Sequence, residues 1–251
     1  MNDLSHVAAW VFDMDDTLYP PEQGLLNLVQ ARINAYVVEA VGLEPEEASV
    51  LQRQFLDEHG TTLAGLMANY TIEPEHFLEM VHDVPLDGLE PNPRLAEQLM
   101  RLPGRRFVFT NGARDYAGRV LDRLGIAHCF EGVFAIEDGD LTPKPAPSVF
   151  RRMIERFDFE PRSAAFFEDT PRNLEPAKAR HAAFGKRRSG RRGTVVIALR
   201  PGDMRSASRR RPRRPDGQDR EAGGARADRR HHPAVRRHHG CARRPRRRNS
   251  G

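Results

Sequence analysis

The sequence predicts an α/β fold: a doubly wound parallel sheet with a block of helices inserted after its first strand. Three observations carry this expectation. Short apolar runs at 8–12, 106–112, 132–136 and 164–169 alternate with segments of helical periodicity, the rhythm of parallel strands joined by crossover helices. Residues 20–89, by contrast, carry only the helical pattern. Finally, Asp13, Thr110 and Asp169 all fall at the C-terminal ends of apolar runs, beyond which such sheets bind their ligands.

The elements follow in order. Residues 8–12 (AAWVF) form a buried strand that delivers Asp13 to its end. Leu25, Leu28, Val29, Arg32, Ile33, Tyr36, Val37 and Ala40 recur mostly at three- and four-residue spacing, and Gly42 stops the helix. Pro45 fits the first turn of a second helix ending at Gly60. A short helix is expected around Leu63–Tyr70, and another from Pro74 that stops before Pro85. Beyond Pro91 come a helix at 93–102, the strand RFVFTNG at 106–112, and a helix from Asp115 to Leu124 closed by Gly125. The strand GVFAI (132–136), a helix at about 147–157, and the acid-ended strand AAFFED (164–169) complete the alternation, and TVVIAL (194–199) is expected as a last strand. This divides the chain into a core at 1–19 and 90–199, a helical insert at 20–89 and a tail at 200–251.

Charge splits the chain in the same way. Residues 1–179 carry 16 Lys+Arg against 30 Asp+Glu, whereas residues 180–251 carry 24 against 5, so the net +5 describes neither part. After Leu199 the text is mostly Arg, Pro, Gly, Ala, Asp and His, and no aromatic residue follows Phe184, a composition that cannot bury a core and is expected to be disordered. Two explanations compete: an arginine-rich nucleic-acid-binding arm, or an out-of-frame reading of a GC-rich gene, which the abrupt change near Arg180 favours. The pairs His231–His232 and His238–His239 with Cys241 imitate a metal site without any sign of folding around it. Cys129 and Cys241 are too few for a disulfide framework, and neither a signal peptide nor a long apolar span is evident, so a cytoplasmic protein without a membrane partner is expected.

The chemistry concentrates in DMDDT at 13–17. Side chains at i and i+2 on a strand point the same way, so Asp13 and Asp15 enter one cleft. Two carboxylates that close cannot both be buried and ionised without a cation, and oxygen donors suit a hard divalent ion such as Mg²⁺. One carboxylate could then attack an electrophile while the other moves protons. An acidic turn after a buried strand would account for the motif equally well by itself. Asp16 reads as a turn residue.

With TNG at 110–112, Lys144 in LTPKPAP and EDTPRN at 168–173, the set resembles the four motifs of the haloacid dehalogenase (HAD) superfamily, in order, over about residues 7–179. DTLYP, HGTTLAGLM, RFVFTNG and FFEDTPRNLEPA are similar to the pyrimidine 5′-nucleotidase branch, and the helical insert resembles that branch's cap. The resemblance implies a Rossmann-like core and a Mg²⁺-dependent phosphatase acting on a small phosphorylated substrate, a nucleotide. It implies Asp13 as nucleophile, Asp15 as general acid and base, and Thr110 with the amides of Asn111 and Gly112 on the phosphoryl oxygens. Lys144 would neutralise charge. Asp13, Asp169 and the backbone carbonyl of Asp15 would hold the metal, with Glu168 as an outer or alternate ligand. Lys144 is one of only three lysines in a chain that otherwise uses arginine, which suits a position needing a compact ammonium.

The same resemblance excludes some relatives. Dehalogenases lack the second aspartate, since displacing a halide needs no general acid, and phosphonatases use a cap lysine that residues 18–89 do not contain. Sugar-phosphate phosphatases and phosphomutases share all four motifs and stay open. Substrate choice is expected in the insert, where His59, Thr61 and Thr62 follow a helix end. A protein that binds nucleic acid through its basic tail is the alternative from another class.

Overall fold

The computed structural model describes residues 4–177. Four parallel strands, β1 (Ala9–Phe12), β2 (Arg105–Phe109), β3 (Gly132–Phe134) and β4 (Ala164–Phe167), form one sheet in the order β3-β2-β1-β4. β1, which carries Asp13, is thus flanked on both sides, by β2 with Phe12 opposite Val108 and by β4 with Phe12 opposite Phe167.

Period-two alternation assigns side chains to two faces. Trp10, Phe12, Val108, Ala165 and Phe167 pack into one cluster, and Ala9, Val11, Phe107, Phe109, Phe134 and Phe166 into the other. Helices α5 (Pro93–Met100) and α6 (Arg114–Leu124) cover the first face through Leu99, Tyr116, Ala117, Val120, Leu121 and Leu124. Helix α7 (Pro147–Phe157) covers the second through Val149, Phe150, Met153 and Phe157. Helices on both faces of a parallel sheet make the doubly wound α/β arrangement expected from the sequence.

Between β1 and α5 lie α1 (Leu25–Val37), a π-helical turn (Val38–Gly42), α2 (Pro45–His59), α3 (Thr62–Asn69) and α4 (Pro74–His82). Prolines open α2 and α4 where a missing N–H costs nothing, and Gly60 ends α2 in the left-handed region. α2 and α3 pack closely because Gly65 has no side chain: a Cβ there would come within 2.2 Å of the Phe55 ring. Gly104 is held as tightly, since a Cβ would lie 2.2 Å from the carbonyl oxygen of Ala8, and its φ of +88° is the left-handed region glycine favours.

Strands β2 and β4 end at Phe109 and Phe167, sooner than the expected 112 and 169 because the chain turns at the polar residues that follow, and the third strand is shorter than expected too. It stops at Phe134, and a 3-10 turn at Ile136–Gly139 replaces the expected last residue. The strand expected at 194–199, the tail at 200–251 and its histidine pairs with Cys241 lie outside the described residues, as does the nucleic-acid-binding arm. No helix among the described residues is long and apolar enough to cross a membrane.

Candidate active site

Each strand end delivers one group to a common point. The ladder continues one residue past the strands, with the Asp13 amide donating to the Phe167 carbonyl and the Thr110 amide to the Phe134 carbonyl, both at 2.9 Å. These bonds fix Asp13 and Thr110 as firmly as strand residues. Asp16 then turns the chain with φ +55°, a conformation that Asp tolerates better than most residues.

Lys144 is the hub. Its Nζ donates to Asp13 Oδ1 at 2.6 Å, to Glu168 Oε2 at 2.8 Å and to the Phe109 carbonyl at 2.8 Å, using all three ammonium hydrogens. Only 2% of the residue is exposed, and the rings of Phe109 and Phe166 flank the ammonium at 5.1 and 5.7 Å. Burial lowers the pKa of Lys144, but Asp13 and Glu168 outweigh it and hold the group charged. Asn111 fixes the lysine's backbone from across the cleft: its Oδ1 accepts from the Lys144 amide at 2.8 Å and its Nδ2 donates to the Lys144 carbonyl at 3.4 Å.

Glu168 works on two sides. Oε2 faces Lys144, while Oε1 accepts from the Thr170 amide and from Asn173 Nδ2, both at 3.2 Å, and so braces the turn at Pro171–Leu174. Asp13, Glu168 and Asp169 bring one carboxylate oxygen each within 4.8 Å of one another. Burial pushes the Asp13 carboxyl well above the ordinary range despite Lys144. Partial desolvation and the neighbouring Glu168 push Asp169, at the exposed rim, up to about 6. Three carboxylates thus gather around a single ammonium. Both Glu168 oxygens and Asp13 Oδ1 are engaged; Asp13 Oδ2 and the Asp169 carboxylate, which accept only long 3.4 Å contacts from Thr17 and Thr170 among the described residues, remain as hard oxygen donors. The residues fit a divalent cation.

The Asp15 carboxylate does not join this acidic group. Its Oδ1 accepts from the Tyr19 hydroxyl at 2.5 Å and from the Tyr116 hydroxyl at 2.9 Å. Burial raises its pKa, and the two tyrosine hydrogen bonds pull the other way. Thr110 Oγ1 accepts from the Gly112 amide at 2.9 Å, so hydroxyl and amide already sit together.

A cleft of about 1100 Å³ runs from these residues to the helical insert. Its far wall is built by Asn34, Gln52 and Arg53 beside Leu26, Ile33 and Leu56. Arg172 and Asp57 face each other across it at 3.8 Å. Of the insert residues expected in the cleft, Thr61 and Thr62 line it, but the Thr61 hydroxyl caps α3 by accepting from the Ala64 amide. His59 is not among the lining residues; its ring packs on Phe55. The sequence reading missed Tyr19, Tyr116 and the side-chain role of Asn111. Tyr116 shares its helical stripe with Ala117, Val120 and Leu121 and reads as core, and nothing local ties it to Asp15, 101 residues away.

A parallel sheet whose strand ends gather a buried lysine and an acidic group under a helical insert defines an α/β enzyme core. The chain belongs to the haloacid dehalogenase-like hydrolases, whose family model matches residues 7–180. Phosphate metabolism protein 8 of Saccharomyces cerevisiae is 30% identical over 132 residues, covering 49% of this chain and 41% of that protein, so the chain spans about two fifths of the yeast relative's length. Glyceraldehyde 3-phosphate phosphatase of Methanopyrus kandleri is 28% identical over 177 residues, covering 65% of this chain and 76% of that one. Among solved structures, a HAD phosphatase from Thermococcus onnurineus superposes with a TM-score of 0.45 at 22% identity, covering 69% of this chain and 82% of the other.

Proposed function

We propose that the protein is a Mg²⁺-dependent phosphate-monoester hydrolase that acts through an aspartyl-phosphate on Asp13, releasing phosphate from pyrimidine nucleoside 5′-monophosphates in a reducing cytoplasm. The observation that carries this reading is the buried ammonium of Lys144 held between Asp13 and Glu168 at the C-terminal ends of the strands. Such an arrangement has little use in a purely structural core, because two carboxylates and a lysine out of water gain little over packed apolar groups. Residues 1–19 and 90–199 would form the core and 20–89 the cap.

Asp13 and Asp169, with the Asp15 carbonyl and Glu168 in support, would hold Mg²⁺, which when bound neutralises the excess carboxylate charge and the phosphoryl oxygens. A carboxylate oxygen of Asp13 attacks phosphorus, the ester P–O bond breaks, and Asp15 gives its proton to the departing alkoxide. Asp15 then takes a proton from water, whose oxygen attacks phosphorus and frees Asp13 and inorganic phosphate. Thr110 with the amides of Asn111 and Gly112, and Lys144 opposite, hold the charge that develops on the transferring group. The demand is large, since monoester hydrolysis can require acceleration of up to ~10²¹-fold.

The nucleotide assignment rests on the resemblance of DTLYP, HGTTLAGLM and FFEDTPRNLEPA and on a cleft roomy enough for a nucleoside, with the exposed Arg53 on its far wall. A second reading, a sugar-phosphate phosphatase, is favoured by the Methanopyrus relative, named for glyceraldehyde 3-phosphate. Phosphate release from UMP, CMP and glyceraldehyde 3-phosphate, with Mg²⁺ and with EDTA, decides between them. UMP or CMP is expected to be the best substrate, with activity abolished by EDTA and by Asp13→Asn. Full activity of Asp13→Asn would end the phosphatase reading.

A further inference from the structure

Asp15 is held in an unusual way. Both hydroxyls that reach it, Tyr19 from the loop after β1 and Tyr116 from α6, end on the same oxygen, Oδ1. A carboxyl oxygen has two lone-pair sites, so Oδ1 is filled and a transferable proton must ride on Oδ2. Each tyrosine is 1% exposed. A phenol, with an ordinary pKa of about 10, is protonated at neutral pH, so both hydroxyls are donors. Tyr116 cannot swing away freely. The His82 ring, at the end of α4, stacks on it with centroids 4.4 Å apart and 22° between planes. His82 is itself tied down, donating from Nδ1 to the Leu78 carbonyl at 2.9 Å and accepting Arg119 Nη2 on its own carbonyl at 2.6 Å.

We infer that Tyr19 and Tyr116 are positioning residues that clamp Oδ1 of Asp15 and present Oδ2 to the leaving group, with His82 of the helical insert backing the clamp. This rests on the reading of Asp15 as general acid given above. The clamp gives the insert a direct mechanical route to the proton donor: the helix that helps wall the substrate cleft also supports the ring that aims the acid. It explains why a polar histidine and two tyrosine hydroxyls are spent in a region otherwise filled by Leu, Val and Phe.

The test uses the leaving group as a meter. Ejecting an alkoxide needs a proton in flight, whereas a p-nitrophenolate leaves without one. Tyr116→Phe and Tyr19→Phe are compared with wild type on p-nitrophenyl phosphate and on UMP or glyceraldehyde 3-phosphate, whichever the wild type hydrolyses faster. The expected result is a fall in kcat/KM of about 30-fold or more on the alkyl ester and less than about 3-fold on the aryl ester, within the range general acid catalysis supplies. In an Asp15→Asn background neither tyrosine change should cost anything further. Equal losses on both esters, no loss on either, or a continuing loss in the Asp15→Asn background would overturn the clamp. The two tyrosines are separate trials, so if one variant does not fold the other still decides. Activity that depends on Asp13 but ignores the clamp sinks only this inference; activity indifferent to Asp13 sinks the phosphatase reading beneath it.

Discussion

The floor and the roof of the cleft are built on opposite principles. The floor, at the strand ends, is buried, charged and saturated with hydrogen bonds: Lys144 uses three and Glu168 accepts three. The roof, on α1 and α2, mixes apolar side chains with Asn34, Gln52 and an exposed Arg53 for which no ion pair is found among the described residues. A saturated floor tolerates one geometry and therefore one chemistry. An open roof can be altered without touching the reaction, which is where substrate preference should vary.

The sharpest way to break this contrast is at Asp13. Asp13→Asn is expected to lose about 10⁴-fold or more in kcat for phosphate release, the scale on which removing a covalent nucleophile acts. Lys144→Met comes next. It strands Asp13 and Glu168 as buried carboxylates without their cation, and a loss of ~3–5 kcal/mol in unfolding free energy is expected by denaturant titration, alongside lost activity. A stability change below about 1 kcal/mol would show that the floor is less tightly interlocked than its hydrogen bonds indicate.

The seam between floor and roof answers to pH. Burial lowers the pKa of His82 from 6.5 to about 4 in the folded protein. Above pH 6.5 the ring is neutral whether folded or not and contributes no pH dependence. As pH falls from 6.5 toward 4 the unfolded chain takes up a proton that the folded one refuses, so stability declines by on the order of 3 kcal/mol and then levels off. The difference between wild type and His82→Gln in unfolding free energy, followed across that window, should change by this amount; a flat difference would mean the ring is not desolvated. The smallest effect is expected in the roof. Arg53→Ala should raise KM for the preferred substrate up to about 10-fold while leaving kcat within about 2-fold, the pattern of lost uniform binding.

The floor was legible in the sequence for the reason that makes it rigid. Asp13, Thr110 and Glu168–Asp169 sit at strand ends, where alternation and the parallel rhythm fix direction and place with no knowledge of tertiary contacts. Helix limits were legible at Pro45, Gly60, Pro74 and Gly125 because proline and glycine act locally. What escaped was whatever depends on two distant segments meeting. Tyr116 reads as core from its own helix, and only the packed fold sets its hydroxyl on Asp15. His59 was expected in the cleft from its place at a helix end, but as the last residue of α2 it lies one turn beyond Phe55 on the same face, and its ring packs there. The third strand ran two residues too far in the reading because Ala135 and Ile136 are as apolar as the strand; both are buried, but the backbone there coils into a 3-10 turn.

Asn111 gives and receives a hydrogen bond with the backbone of Lys144, two bonds to a single residue 33 positions away. Geometrically this is a rung of sheet made by a side chain, joining two loops that have no ladder of their own. Neither loop can open alone without breaking it, so the two should exchange their amide hydrogens with solvent as one unit, at one rate set by their joint opening. Loops are ordinarily the first part of a fold to breathe; these two inherit the slow clock of the strands beneath them.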